Sequence, residues 1–314
     1  MIEVKHRYRK FNTYLKQTFG EKVYRVGLYG GFTCPNRDGS LSTSGCSFCN
    51  PKSTEPFDFL PGETIPEQLK RGMAYTKERH GANKFIAYFQ DYSTTYGSAE
   101  ELEQMYREAM AVPGIVGLAL TTRPDCLPES VLEVLGRLAE ETYMWVELGV
   151  QSAIDKSLAA TNRCHDASCS REAIKALHAK GVAVSAHIIL GLPGENSKDE
   201  AFTADFVTEL KVEAVKLHNL YVVKDTALAQ QYNAGTLDLM TLDEYVGRAI
   251  SFMERLQPSV IIQRLAGDAP RRFTVAPKWS INKMAVLNAI EKRMAAEDRW
   301  QGKALGFARE STFV

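Results

Sequence analysis

Residues 23–49 read VYRVGLYGGFTCPNRDGSLSTSGCSFC. The run Val23–Tyr29 is apolar and strand-like, and it feeds directly into a loop carrying Cys34, Cys46 and Cys49 at C-x11-C-x2-C spacing. Three thiolates are one short of a closed four-cysteine site. A cubane [4Fe–4S] cluster takes one ligand per iron, so three cysteines leave one iron open to a small molecule. The last two cysteines flank an aromatic residue, Phe48. A ligand loop after a strand falls where α/β folds keep their chemistry, at the carboxyl ends of the strands.

The pattern outward from that loop alternates strands with helices. Apolar strand segments follow at Phe85–Phe89, Val116–Leu120, Met144–Leu148, Val182–Leu190, Ala214–Val223 and Val260–Arg264. Helix starts are marked by Thr64 with Glu67, Ser98 with Glu101, Ser197 with Glu200 and Thr241 with Glu244, each with capping-box spacing. Gly181 sits where a left-handed helix stop is expected. Alternation of this kind implies βαβ units and a parallel sheet. Six units fit residues 23–223 and predict an α/β fold, a partial (β/α)6 TIM-like barrel. We expect a basic, aromatic segment at 1–22, a core barrel at 23–240, and a C-terminal helical extension at 241–314 around one further strand.

Polar clusters fall at the strand ends. They are Gln90-Asp91-Tyr92-Ser93-Thr94-Thr95-Tyr96, Thr121-Thr122-Arg123-Pro124-Asp125, Gly149-Val150-Gln151-Ser152 and Gly191-Leu192-Pro193-Gly194-Glu195. The sixth strand carries Lys216, His218 and Asn219; Lys216 and His218 alternate and so share a face. Tyr92, Tyr96, Arg123, Lys216, His218 and Arg264 are candidates for substrate contact, with Gly267 and Asp268 at the rim. Glu147 lies within a strand, and a buried carboxylate needs a partner such as Lys216 or Arg123. Cys126, Cys164 and Cys169 are too scattered for a second cluster and are expected to be buried thiols. His165 is expected near the site or bonded to its own loop. His6, His80 and His178 read as surface helix residues without a chemical role.

The 314 residues are 45% hydrophobic, enough for one large α/β domain. No apolar run reaches the length of about 18 residues that a membrane span needs. The first residues, MIEVKHRYRKFNTYLK, lack the apolar core of a signal peptide. Cysteines in such a chain suit metal binding better than disulfides, and a cytoplasmic location is expected. Basic and acidic residues balance at 38 each, but unevenly: residues 1–25 hold seven basic residues against Glu3 and Glu21, and residues 264–303 hold nine against four. Tyr8, Phe11, Tyr14 and Phe19 lie among the first set. Basic residues mixed with aromatics suit RNA, although a helix packed on the core has the same composition.

Together the cysteine loop, FQDYSTTY, TTRPD, ELGVQS with NRCHD, HIILGLPGE, VKLHNLYVV and QRLAGDAP resemble radical S-adenosylmethionine (SAM) enzymes. The resemblance is to the branch holding the Elongator catalytic subunit and the coproporphyrinogen oxidases, and within it to the YhcC/YtqA-type family, which shows the same long cysteine spacing. It implies that Cys34, Cys46 and Cys49 ligate a [4Fe–4S] cluster and that SAM chelates the open iron. Gln151 matches the glutamine that contacts the SAM ribose. Arg163 matches the arginine that holds its carboxylate, a task suited to a planar guanidinium. Gly191, Pro193 and Gly194 match the turn beside the adenine, and Phe48, Gln90 and Leu220 are implied SAM contacts. Thr121 stands where many relatives carry a glutamate, and His187 where the coproporphyrinogen oxidases carry an aspartate; both are expected to reach SAM by hydrogen bonds.

The implied chemistry is reductive cleavage of SAM to a 5′-deoxyadenosyl radical that abstracts hydrogen from a C–H bond, with a flavodoxin or ferredoxin as one-electron donor. The Elongator branch acts on the wobble uridine of tRNA. Its acetyltransferase domain has no counterpart in these residues, so a different step on a uridine side chain is implied, such as processing of a carboxymethylaminomethyl group toward aminomethyl. The alternatives are a small-metabolite substrate and a non-catalytic scaffold in which the three cysteines and a histidine hold zinc. In the scaffold reading GVQS, Arg163 and GLPGE have no purpose.

Overall fold

The computed structural model describes residues 6–53 and 60–309. Its main element is a curled, all-parallel sheet of seven strands, a half-barrel wrapped by helices. In chain order the elements are α1 (Phe11–Phe19), β1 (Val23–Leu28), α2 (Ile65–His80), β2 (Lys84–Phe89), α3 (Ala99–Met110), β3 (Ile115–Thr122), α4 (Glu129–Glu141) and β4 (Tyr143–Gln151). There follow α5 (Asp155–Ala160), α6 (Ala167–Ala179), β5 (Ala183–Leu190), α7 (Ser197–Glu209), β6 (Ala214–Asn219), β7 (Val222–Val223) and α8 (Ala227–Asn233). The last are α9 (Leu242–Glu254), β8 (Ile261–Arg264), β9 (Thr274–Ala276) and α10 (Lys283–Ala296).

The sheet order is β1-β2-β3-β4-β5-β6-β8. The strand expected inside the helical extension is therefore the seventh strand of the barrel sheet, parallel to β6. The run Ala214–Val223 is two strands rather than one. The chain turns at Leu220, whose amide bonds Leu190 O at 2.9 Å, and β7 then pairs antiparallel with β9. Thr64 and Thr241 form complete capping boxes with Glu67 and Glu244, and Ser98 accepts from the Glu101 amide. The α7 cap is one residue earlier than expected. Asn196 caps the helix and boxes with Asp199, which frees Glu200 to accept from Gly191 N at 2.8 Å.

Alternate strand residues divide the interior into two layers. Met144, Val146, Leu148 and Val150 of β4 face the helices and join the larger core, whereas Trp145, Glu147 and Gln151 do not. Trp145 instead meets Ile86, Ala119, Ala214 and Ile261 in a second cluster at the lower end of the lumen. Helix α1 plugs that end. Phe11 and Tyr14 approach the Trp145 ring at 5.5 and 5.9 Å, and Phe19 meets Tyr143 edge-on at 4.9 Å. Arg7 pairs with Asp298 at 2.9 Å and Lys10 with Glu291 at 2.6 Å. Phe11, Tyr14 and Phe19 are thus spent on the barrel floor, and Tyr8 packs into the larger core with its hydroxyl donating to Glu291 at 3.2 Å. Residues 1–5, with Lys5, lie outside the described residues. His6 precedes α1 rather than lying in a helix, His80 stacks on Tyr24 at 4.6 Å, and His178 faces Glu213 at 3.3 Å.

Removing the plug's main ring costs a large cavity. Phe11→Ala is expected to lower unfolding free energy by about 3–5 kcal/mol and to red-shift emission from Trp145, which is buried beneath it. Denaturant titration and fluorescence check both; an unchanged midpoint and spectrum would mean that α1 does not seal the lumen.

Candidate active site

The cysteine loop is tied down from several sides. Asp91, after β2, accepts from Gly30 N and Phe32 N at 3.2 Å each, and Gln68 of α2 accepts from Tyr29 N at 2.9 Å. Burial pushes the Asp91 carboxyl up to about 6, while those backbone amides pull it down. The loop after α5 holds the other side: Asn36 donates to Asn162 O at 2.5 Å, Asn162 donates to Gly45 O at 2.8 Å, and Ser47 N bonds Thr161 O at 3.0 Å. Asn162 takes φ 53°, a left-handed conformation that asparagine tolerates.

Cys34, Cys46 and Cys49 line one cavity of about 360 Å³ at the upper end of the lumen. Their environments differ. Burial raises the Cys46 thiol, but Arg163 at 3.2 Å, Arg123 at 4.0 Å and Asn36 at 3.4 Å outweigh it and hold Cys46 below the usual thiol range. Cys49 is pushed up to about 11 by burial and then by the neighbouring Cys46 charge, with Arg37 acting the other way. A positively charged group among the three sulfurs removes that repulsion and lets all three ionise. Among the described residues no three His, Cys, Asp or Glu side chains converge tightly enough for a single metal ion. Cysteines that each take a different iron stand farther apart than ligands sharing one ion.

Around the same cavity stand buried polar atoms with no protein partner: Gln151 Oε1, Arg163 Nε, His187 Nε2 and Ser93 Oγ. Buried groups of this kind ordinarily find a partner. Their mixture of donors and acceptors suits a ligand with amino, carboxylate and hydroxyl groups. Gln151 takes φ 66°, a strained position for a non-glycine residue. Gly149 makes room for it, since a Cβ there would stand 3.0 Å from Gln151 Nε2 and 3.2 Å from Arg163 Nη2. A smaller cavity of about 150 Å³ adjoins, sharing Phe48, Gln151 and His187 and adding the apolar Ile189, Leu220 and Val223.

Below the cysteines a charged network crosses the lumen. Glu147 of β4 accepts from Arg25 Nη1 at 2.6 Å, Tyr88 OH at 2.6 Å and Lys216 Nζ at 2.5 Å. Burial raises its carboxyl, but Lys216, Arg25 and Tyr88 dominate and keep it ionised. Burial, with Arg264 and Arg25, pulls Lys216 below the usual lysine range against the pull of Glu147. Of the two expected partners of Glu147, only Lys216 serves. Arg123 pairs instead with Asp125 at 2.7 Å and donates to Arg163 O at 2.6 Å, on the cysteine side. His187 and His218 lie 4.2 Å apart and are held neutral by burial and the nearby cations. Arg264 reaches this layer through a register shift between β6 and β8: Ile262 pairs with Val215, but Arg264 pairs with Lys216. The extra residue, Gln263, turns Arg264 to the lumen side.

Of the residues singled out from sequence, Tyr96, Gly191, Pro193, Gly194 and Gly267 line neither cavity. Tyr96 turns to Ser40, 2.9 Å from its hydroxyl, and the Gly191 turn packs against Met240. His165 accepts from Arg163 at 2.9 Å. Burial and Arg163 lower it to about 4. Burial raises Cys126 to about 12, as expected of a buried thiol, but Cys169 is only half-buried and Cys164 is exposed, donating to Asn36 Oδ1 at 3.0 Å. The sequence reading missed Tyr88, Arg37 and Tyr221, and it placed Arg25 among RNA-facing charges. Arg25 and Tyr88 each stand two residues before another lumen position, Gly27 and Gln90, so strand alternation was the available signal.

Replacing the carboxylate strands the buried Lys216 and the half-buried Arg25. Glu147→Gln is expected to cost about 3–5 kcal/mol in a denaturant titration near neutral pH, where an unchanged midpoint would remove the network as a structural element.

A half-barrel with three thiols at its first strand end and orphaned polar atoms around them is the frame of a cluster-dependent radical enzyme. The profile of the radical SAM superfamily matches residues 34–207 and that of the radical SAM C-terminal domain residues 212–296; the chain belongs to the radical SAM superfamily. It is 37% identical over 297 residues to YtqA of Bacillus subtilis, covering 95% of this chain and 92% of that protein. It is 36% identical over 293 residues to YhcC of Escherichia coli, covering 93% of each, which makes it of the YhcC/YtqA type. The solved structure of Elp3 from the archaeon Methanocaldococcus infernus matches with a TM-score of 0.69 at 18% identity, over 89% of this chain and 64% of that one, and shares the fold. The cofactors are a [4Fe–4S] cluster and SAM, and the thiols and orphaned polar atoms above fit both. Among the described residues no helix is long and apolar enough to cross a membrane.

Proposed function

We propose that this radical SAM enzyme modifies tRNA at the side chain of a wobble uridine, taking a carboxymethylaminomethyl group to aminomethyl: the CH2 beside the carboxylate loses a hydrogen atom and an electron with SAM as the oxidant, and water then splits the C–N bond, so that the two-carbon unit leaves as glyoxylate. In this reading Cys34, Cys46 and Cys49 hold the cluster. Arg163, Gln151 and His187 hold the polar groups of SAM, and the apolar slot of Phe48, Ile189 and Leu220 takes its adenine. The bound cofactors supply a 5′-deoxyadenosyl radical for hydrogen abstraction. The chain's own residues set where that happens: the thiol loop lies above, the charged network below, and α1 closes the floor against water. A flavodoxin or ferredoxin is the proposed electron donor.

The RNA assignment is carried by the cavity mouth. Lys52, Lys224, Arg271 and Arg272 are exposed there and have no carboxylate partner among the described residues. They are close in space. Asn50 donates to Lys224 O at 2.9 Å, and Lys224 N bonds Phe273 O at 2.9 Å. Pro51 and Ser53 line the cavity itself. Unpaired cations on a lip suit phosphates, and an active site in the lumen requires the base to be turned out of its stack. The M. infernus tRNA uridine(34) acetyltransferase supports the same reading, being 28% identical over 168 residues, 51% of this chain and 30% of that protein.

Two measurements test the proposal. Anaerobically reconstituted enzyme, reduced with dithionite in the presence of SAM and undermodified tRNA, is expected to yield 5′-deoxyadenosine, and Cys49→Ala none. Product from the variant, or none from either, would remove the assigned ligands. In filter binding, Lys224→Glu with Arg272→Glu is expected to weaken tRNA affinity at least about tenfold and to flatten its salt dependence. Absence of tRNA affinity in the wild type at low salt would return the small-metabolite reading.

A further inference from the structure

We propose that the lower part of the cavity is a carboxylate subsite, in which Lys216 and Arg264, backed by His218, receive an anionic end of the substrate. The inference rests on the reading above that this cavity takes the substrate.

The charges do not balance within the layer. Arg25, Lys216 and Arg264 face Glu147 and Asp268, and Asp268 is shared with Lys283 at 2.7 Å. Glu147 is fully engaged by Arg25, Tyr88 and Lys216. Asp268 lies at the rim with its side chain 52% exposed, so water screens it, whereas Lys216 is only 2% exposed. Lys216 is buried and Arg25 and Arg264 are mostly so, with side chains 20% and 15% exposed; burial and the two guanidinium groups lower Lys216 to about 7, and an anion arriving beside it favours its charged form.

The donors are placed to supply one. Lys216 has three N–H groups, of which Glu147 and Tyr88 take two, at 2.5 and 2.8 Å. Arg264 uses Nη1 on His218 Nε2 at 2.7 Å and Nη2 on Asp268 at 2.6 Å, leaving other guanidinium N–H groups over. The register shift puts Lys216 and Arg264 side by side on paired strands, both lining the cavity. His218 accepts from Arg264, so its proton is on Nδ1, and the neutral ring orients the guanidinium without adding charge. Beside it His187 Nε2 is buried without a partner. Two adjacent cationic donors match the two oxygens of a planar carboxylate. An anion held there lies beneath the cysteines, with the rest of the substrate rising toward them.

The test compares two anticodon stem-loops that differ only at the wobble uridine, one carrying carboxymethylaminomethyl and the other aminomethyl. Reconstituted enzyme with SAM is expected to bind the carboxylate-bearing RNA at least about tenfold more tightly, the scale of one charge-assisted contact. Lys216→Met and Arg264→Gln, each checked for retained cluster absorbance, are expected to remove the preference for the carboxylate-bearing RNA, so that the ratio of the two affinities falls at least about tenfold. Equal affinities in the wild type, or discrimination kept in both variants, would overturn the subsite. Should neither RNA bind, the tRNA reading fails and calorimetry with sodium malonate decides the subsite alone. Heat with the wild type that is lost in Arg264→Gln supports it; no heat, or the same heat in both, rejects it.

Discussion

Glu147 sits in the middle of the lumen and joins strands that the sheet does not join. Hydrogen bonds of a parallel sheet link neighbours only, and among the described strands β1 and β8 are edges that do not pair with each other. The Glu147 side chain, on β4, reaches Arg25 on β1, Tyr88 on β2 and Lys216 on β6. It spans the concave face of an open sheet as a brace. A buried ion pair is often no more stabilising than a well-packed apolar substitute, because desolvation offsets attraction. Its value here lies in geometry. It sets the height at which the apolar floor ends and the polar cavity begins, and it fixes the spacing between strands whose upper ends carry the reactive groups.

The thiols above that brace show a second constraint. Three sulfurs near one another resist simultaneous ionisation: burial and then the Cys46 charge raise Cys49, while the neighbouring arginines lower Cys46. Arg123 and Arg163 hold Cys46 low, whereas Arg37 offsets only part of what raises Cys49. The loop is therefore built to be completed by a cation-rich group rather than to rest as three free thiolates. The tethers to Asp91, Gln68 and Asn162 hold the loop that carries the sulfurs.

Much of this architecture was legible in the chain because a βαβ pattern leaves clear marks: apolar runs, capping residues at helix starts, polar residues at strand ends. Thirteen residues of a helix cannot hide, but a single residue added to a strand can. The register shift at Gln263 left no mark in composition, so Arg264 stood among the candidate substrate contacts without the bulge that turns it inward. The N-terminal aromatics misled for a different reason. Phe11 and Tyr14 beside Arg9 and Lys10 suit either a stacked base or a barrel floor, and composition does not say which face of α1 meets the core. The Cys164 side chain was misread because a left-handed residue, φ 58°, turns it out of the loop. Arg25 was grouped by its place in the chain with charges that it does not resemble in the fold.

The extra residue in β8 has a consequence for how such a barrel changes over time. A strand has two faces, so its side chains obey parity: one residue more or less exchanges every inward position for an outward one. Deleting a residue beside Gln263 would send the guanidinium to the helix side and bring a neighbour into the lumen, with no change in residue types. A pocket lined from a strand that ends in such an irregularity can therefore alter the charge it presents in a single discrete step, by a change of length rather than by substitution. Among descendants of one half-barrel, the length of this last strand is then as much a record of ligand preference as the residues themselves.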